Sequence, residues 1–388
     1  MSRKHAKLSP SAANRWLTCT KSAQLEESFE NTESSHAAEG TLAHDLAELL
    51  TRSELGELSK RTVAQRMSKI KKSEYYDAEM LEYCQGYADF IVDTLRTATE
   101  LCPDAFVELE SKLDLSEYVP GGFGHSDAII IADEVLEVID FKYGRGVLVE
   151  SELNAQMMLY ALGAYNKYKD LYDIEIIKMT VYQPRIQRSP NSYEMKLEEL
   201  LDWAETYVKP RAELADKGEG EYCPTPDACK FCRAKHICRA RAEENLKAFD
   251  AIGDPDLLSL EEACEILQRT KDLKTWITDI ETYVTAELYK GVPAPGFKLV
   301  AGRSLRKWMS DQAVIDELEA NGLDTSEFTE TKLLSVAQLE KRFGKSEVER
   351  MVGAMIDKPV GKPTLAPIDD KRPAYTPQEN ILDAFDNA

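Results

Sequence analysis

Between residues 105 and 118 the chain reads A-F-V-E-L-E-S-K-L-D-L-S-E-Y, with apolar and polar side chains alternating. A period of two predicts a half-buried strand. Asp127–Ile131 and Val135–Lys142 predict two further strands around a tight Ala-Asp-Glu turn, and G-G-F-G at 121–124 marks a turn or a close backbone approach. Residues 152–168 carry a helical pattern, Ile174–Gln183 a strand ending at Pro184, and residues 195–217 return to helix. The order β-β-β-α-β-α predicts an α/β fold, a mixed sheet flanked by helices.

Helical patterns precede this block. Ser9 and Pro10 suit the first turn of a helix over 9–29. Leu42, Leu46, Leu49 and Leu50 form a stripe over 37–54, and helix continues to about residue 100. Beyond the block, residues 255–290 read as helix, Phe297–Ala301 as a strand, and the chain to about 355 as helix again. The tail from Lys358 is polar, contains five prolines, and reads as extended or disordered. The expected division is residues 1–250 with a helical insertion at about 45–100, a mainly helical region at 251–357, and the tail at 358–388.

Composition narrows the function. The 388 residues include 48 Lys+Arg against 69 Asp+Glu, a net charge of −21. That field opposes non-specific binding to phosphate, so any nucleic-acid contact needs a local basic patch or a bound cation. Residues 59–73 form one such patch, with six basic and no acidic side chains. Lys230, Arg233, Lys235, Arg239 and Arg241 form another. A solvated helix face is the competing reading of each. No apolar run approaches the roughly 20 residues of a spanning helix, and the N-terminus lacks an apolar core for a signal peptide. The expectation is a soluble cytoplasmic protein with no membrane association.

Four of the eight cysteines, Cys223, Cys229, Cys232 and Cys238, fall within sixteen residues. In an intracellular chain, C-x2-C followed by x5-C reads as a metal or cluster knot rather than a disulfide framework. Cys229, Cys232 and Cys238 supply three ligands. The fourth is Cys223 or His236 locally, or distant Cys19. Cys84, Cys102 and Cys264 read as core residues.

The densest chemistry lies in G-H-S-D-A-I-I-I-A-D-E-V-L-E-V-I-D-F-K. Asp140 and Lys142 are two apart on a strand and project to one face. A short turn between antiparallel strands brings Asp127 beside Asp140. Paired carboxylates bind a hard cation such as Mg2+ or Mn2+, and a neighbouring lysine stabilises a negative transition state. Gln156 and Tyr160 share a helical face, and His44, with Glu48 at i+4, offers a further ligand. D-x-K alone is a common pair of surface charges.

Taken in order, His44, G-H-S-D, D-F-K and Q-M-M-L-Y resemble the RecB-like nucleases of the PD-(D/E)xK superfamily. One cysteine before these motifs and C-x2-C-x5-C after them resemble its iron–sulfur subgroup, which includes the AddB nuclease domain and the CRISPR-associated RecB-like exonucleases. The resemblance implies a restriction-endonuclease-like sheet and a 4Fe–4S cluster on Cys19, Cys229, Cys232 and Cys238. It implies a metal held by His44, Asp127, Asp140 and the Phe141 carbonyl, with Lys142 catalytic and Gln156 and Tyr160 positioning DNA. The segments R-W-L-T-C, A-A-E-G-T-L-A-H, C-K-F-C-R-A-K-H-I-C-R-A-R-A and G-R-S-L-R-K-W resemble those of a phage and prophage family. Cys223 is an extra thiol outside the expected set.

These observations lead to a metal-dependent DNA exonuclease, acting on single strands or duplex ends in phage replication or recombination inside a bacterial host. Lys230, Arg233, Lys235 and Arg239 are its candidate backbone contacts. The alternative is a non-catalytic iron–sulfur or zinc DNA-binding or interaction protein. An acidic surface that docks a phage replication or recombination partner is a third reading. Gly302–Trp308, with Arg303, Arg306 and Lys307, is a further candidate phosphate contact or a plain turn. The chain contains no G-x4-G-K-[ST] ATP-binding loop.

Overall fold

A computed structural model describes residues 6–29, 35–187, 189–247, 260–298 and 336–352. They fall in two units, Met1–Thr331 and Lys332–Ala388. In the second unit two short helices, Val336–Phe343 and Lys345–Val352, are described. The first unit holds the sheet.

The N-terminal segment is more broken than its pattern suggests. A 3-10 turn at Pro10–Ala12 leads into α1 (Ala13–Thr18), the chain breaks at Cys19, and α2 (Ser22–Leu25) follows. Ser9 makes no side-chain cap; its carbonyl instead accepts the Trp16 indole N–H at 3.0 Å. Then come α3 (Ser35–Glu54), α4 (Lys60–Ile70) and α5 (Ala78–Leu101). Ser59 and Asp77 cap α4 and α5 by accepting the Thr62 and Met80 amides.

Five strands follow: β1 (Phe106–Asp114), β2 (Phe123–Ala132), β3 (Val135–Phe141), β4 (Ile176–Tyr182) and β5 (Asn191–Lys196). They lie in the order β1-β2-β3-β4-β5. The β3–β4 pair is parallel and the other three pairs are antiparallel. A parallel neighbour requires a crossover, which α6 (Ala155–Tyr168) provides. The mixed sheet flanked by helices is therefore the architecture, with a fifth strand the sequence pattern missed. N-S-Y-E-M-K buries only Met195 fully. An edge strand this polar lacks the apolar alternation that marks its neighbours.

Central β3 is buried on both faces, which explains its mostly apolar sequence, broken only by Glu137 and Asp140. Ile129, Ile131, Leu136 and Val138 pack with α6 and α1 on one face. Ala128, Ile130, Ile139 and Phe141 pack with α3 and α5 on the other. Burying a side chain such as Phe141 contributes about 1.5–3 kcal/mol.

After the sheet run α7 (Leu197–Trp203), a π-helical turn (Ala204–Val208), α8 (Lys209–Lys217), α9 (Pro226–Lys230), α10 (Arg239–Leu246), α11 (Leu260–Arg269) and α12 (Lys271–Tyr289). Gly218, at φ +68°, ends α8 in the left-handed conformation that glycine adopts without strain. Phe297 and Lys298 are not in a strand; the rest of the expected 297–301 strand, Gly302–Trp308 and the tail lie outside the described residues. Of the three cysteines expected in the core, Cys84 is buried, Cys102 is half-buried and Cys264 is exposed.

Candidate functional site

Pairing of β2 with β3 runs from Ala132↔Val135 to Ala128↔Ile139. Asp127 is the next residue out, in mid-β2 rather than at the strand's start. Its Oδ2 accepts the Phe141 amide at 2.7 Å, which fixes it beside Asp140. Lys142 continues the sheet by donating its amide to the Tyr182 carbonyl at 2.9 Å. Its ammonium lies 2.9 Å from Asp140 Oδ2.

Helix α6 delivers two more groups. Asn154 caps it by accepting the amides of Gln156 and Met157. Gln156 Oε1 accepts from Lys142 Nζ at 3.3 Å. Its Nε2 reaches Asp140 Oδ1 at 3.3 Å and the Tyr160 hydroxyl at 3.0 Å. One amide thus braces the lysine, the carboxylate and the phenol together. From the opposite face, α3 supplies His44, with Nδ1 3.1 Å from Asp127 Oδ1. Glu48, one turn on, is engaged by Arg52 and Arg66 instead. The Phe141 side chain is buried and lies against His44 and Tyr87.

A seventh group was not among the expected site residues. Glu110 lies in β1 opposite Asp127, between the regular pairs Leu109↔Ala128 and Ser111↔Ser126. Its φ is +53°, strained for a non-glycine residue. Like charges directly opposed on a sheet repel. The only sequence signal was an acidic residue in an alternating strand, which Glu108 shares. Ligand atoms of His44, Glu110 and Asp127 lie within 4.8 Å of one another.

The electrostatics follow from burial. Burial opposes charge on Asp127, but His44 and the Phe141 amide outweigh it and hold the carboxyl below its usual range. Burial also works against the His44 cation, yet the facing Asp127 raises it to about 9. Asp140 is raised by burial, against the pull of Lys142. Lys142 is raised because Asp140 overcomes its own desolvation. Burial, then Asp127, push Glu110 up to about 7. Asp140 Oδ2 is buried without a directed hydrogen bond, despite the close lysine.

This donor set fits a divalent cation. Two opposed carboxylates and an imidazole lie within 4.8 Å of one another, with Asp140 beside them and paired to Lys142. A cation would relieve the Glu110–Asp127 repulsion. Oxygen donors suit Mg2+, and the imidazole additionally suits Mn2+.

The cysteines assemble elsewhere in the unit. Cys19, Cys229, Cys232 and Cys238 line one small cavity of about 20 Å3. Among the described residues, no three cysteine sulfurs come as close as the His44–Glu110–Asp127 donors. Cys223 does not line the cavity, but its segment runs beside Cys19: Glu221 exchanges hydrogen bonds with Thr20 and accepts the Lys21 amide. His236 lies between the rings of Phe29 and Tyr283. Burial raises Cys229 to about 12 and Cys232 to about 11.

Of the expected backbone contacts, Lys230 and Arg239 are exposed. Arg233 turns to Glu26, and Lys235 pairs with Asp279 at 2.7 Å. Arg241, 2% exposed, is held by Asp272 and Asp279 of α12. No helix among the described residues is long and apolar enough to cross a membrane.

Solved structures share a limited likeness with the chain. SSO0001 is 17% identical, with 59% of this chain matched to 96% of that one at a TM-score of 0.23. The alkaline exonuclease LHK-Exo from Laribacter hongkongensis is 12% identical, with 45% matched to 87% at 0.22. A candidate exonuclease of Eubacterium rectale is 12% identical, with 66% matched to 92% at 0.28. Likeness at these scores establishes no shared activity. A family profile described as protein of unknown function (DUF2800) matches residues 5–373, and the chain belongs to that family.

Proposed function

We propose that this chain is a divalent-metal-dependent DNA nuclease of the RecB-like PD-(D/E)xK type, hydrolysing phosphodiester bonds as an exonuclease. The observation that carries the reading is the Gln156-braced group: buried Asp140, Lys142 and Tyr160 beside the Asp127–His44 pair. A structural ion pair needs none of the additional converging groups.

In this reading Asp127, Asp140 and His44 hold the metal, with Glu110 and the Phe141 carbonyl as further ligands. When bound, Mg2+ or Mn2+ supplies positive charge against phosphate and a water of lowered pKa. The chain's own groups do the rest. Asp127 stays ionised because His44 and the Phe141 amide favour its charged form. Lys142 stays protonated beside Asp140, so its ammonium faces the charge that grows on phosphate as water adds and the bridging P–O bond breaks. Gln156 limits the positions open to Lys142 and Asp140. Tyr160, its hydroxyl kept protonated by burial, anchors Gln156.

Cys19, Cys229, Cys232 and Cys238 carry a 4Fe–4S cluster in this proposal. The shared cavity of four thiols supports it. The cluster would staple the end of α1 to the segment after the sheet. Lys230 and Arg239 remain available to a DNA backbone, in a phage replication or recombination setting.

The test compares wild type with Lys142→Ala on end-labelled single- and double-stranded DNA, with Mg2+ or Mn2+, after anaerobic purification. Metal-dependent cleavage lost in the variant supports the reading. A brown, iron-containing wild type that binds DNA without cutting it overturns the nuclease assignment. Zinc in place of iron overturns the cluster assignment.

A further inference from the structure

A polar cleft of about 300 Å3 opens between the N-terminal segment and the cysteine knot. Its walls include Lys7, Ser9, Ser11, Arg15, Phe231 and Arg233. Phe231 stands inside C-x2-C and is 69% exposed, an unusual position for a large apolar ring. Its backbone is nevertheless fixed. The Phe231 carbonyl accepts Arg15 Nη1 at 3.1 Å, and the flanking Cys229 and Cys232 are buried. The ring is thus an exposed face on a rigid mount.

The cleft also adjoins the catalytic group. A Cβ on Gly124 would come within 2.8 Å of both Pro10 Cγ and Tyr160 Cε1. Pro10, in the turn that borders the cleft, and Tyr160, which anchors Gln156, therefore both pack against Gly124.

Charge decides what kind of ligand fits. Lys7, Arg15 and Arg233 are cations, but each has acidic company. Lys7 meets Glu27 and Asp216, and buried Glu26 lies between the two arginines. Bulk attraction for phosphate is therefore largely cancelled within the cleft. Affinity must come from contact with the aromatic face and from the exposed Lys230, whose ammonium lies 5.5 Å from the centre of the Phe231 ring. A base within a duplex is already stacked and cannot offer its face, whereas an unpaired base can.

We propose that this cleft is a binding site for single-stranded DNA, with Phe231 stacking an unpaired base as the strand passes to or from the catalytic centre. The proposal deepens the nuclease reading and rests on it for the direction of the strand. It assigns that nuclease a single-stranded tail as the segment it grips.

The test uses the full chain with a 2-aminopurine-labelled single-stranded oligonucleotide in Ca2+, comparing wild type, Phe231→Leu and Phe231→Trp, with iron content and Tm read alongside. Expected is quenching of 2-aminopurine by wild type and Phe231→Trp. Phe231→Leu should lose the quenching and bind about 5- to 100-fold more weakly, with iron and Tm unchanged. Equal binding by Phe231→Leu overturns the cleft assignment. Equal weakening in Phe231→Trp also overturns it, because it reports a structural role. An RNA oligonucleotide that outcompetes the DNA overturns the substrate class. Phe231-dependent binding in a protein that cuts no DNA with Mg2+ or Mn2+ supports the cleft and overturns the nuclease reading alone.

Discussion

The Asp127–Asp140–Lys142 group and the cysteine-lined cavity are two polar constructions in one unit, built on opposite plans. The first concentrates charge that the chain does not fully satisfy. Glu110 opposes Asp127, Asp140 Oδ2 lacks a directed hydrogen bond, and Glu110 sits in strained backbone. The second surrounds its thiols with charges that are mostly matched, Lys230 and Arg239 excepted. Arg15 and Arg233 share Glu26, while Lys235 and Arg241 share Asp279. Residual frustration marks a place where a ligand is to be received, and local satisfaction marks a place where segments are to be held.

The comparison predicts separable failures. The largest effect belongs to Lys142→Ala. Loss of its positive charge should lower cleavage by about 10³-fold while leaving iron content and Tm near those of wild type. A matching loss of iron would show that the two constructions are not independent. Cys238→Ser should do the reverse. It removes one knot ligand, so visible absorption and iron fall and Tm drops, because metal binding to a knot is also folding free energy. Retained absorption with an unchanged Tm would make Cys223 the fourth thiol in place of Cys238.

Glu110→Gln sharpens the first side. In the metal-loaded protein it removes one oxygen charge, and the cation concentration for half-maximal cleavage should rise about tenfold. In the metal-free protein it removes the repulsion with Asp127, so Tm should rise or hold. A fall in metal-free Tm without any change in metal requirement would make Glu110 a structural residue.

Legibility in the sequence also divides along this line. Asp127, Asp140, Lys142, Gln156 and Tyr160 occupy a strand, a strand and a helix that follow one another, so i+2 and i+4 spacings suffice to place them together. Glu110 needs the β1–β2 register and a reversal of φ that no local pattern encodes. β5 escaped because an edge strand can be polar on most positions. The grouping of Cys229, Cys232 and Cys238 was legible from their spacing, but the approach of Cys19 to their cavity was not, because Cys19 lies about 200 residues away. The basic patch around the cavity read as free charge, since Glu26, Asp272 and Asp279 reach it only after folding.

The smallest effect tests that last point. Arg241 is buried with Asp272 and Asp279 around it, so α12 is clamped against the knot by ionised carboxylates. Burial alone would raise Asp279, but Lys235 and Arg241 prevail and hold it below the usual aspartate range. A carboxyl with a depressed folded-state pKa adds stability above its unfolded pKa and loses it as pH falls through the folded value. The Tm difference between wild type and Asp279→Asn should therefore be constant at neutral pH and shrink below the ordinary aspartate range near pH 4. The His236 ring next to Tyr283 has the opposite charge logic. Its pKa is lowered by burial, so protonating it on the way to that range weakens the same contact earlier, from about pH 6.5 downward. A difference that persists unchanged to pH 3 would mean that the α12 contact owes its stability to packing, and that the matched charges of the knot are incidental to holding it.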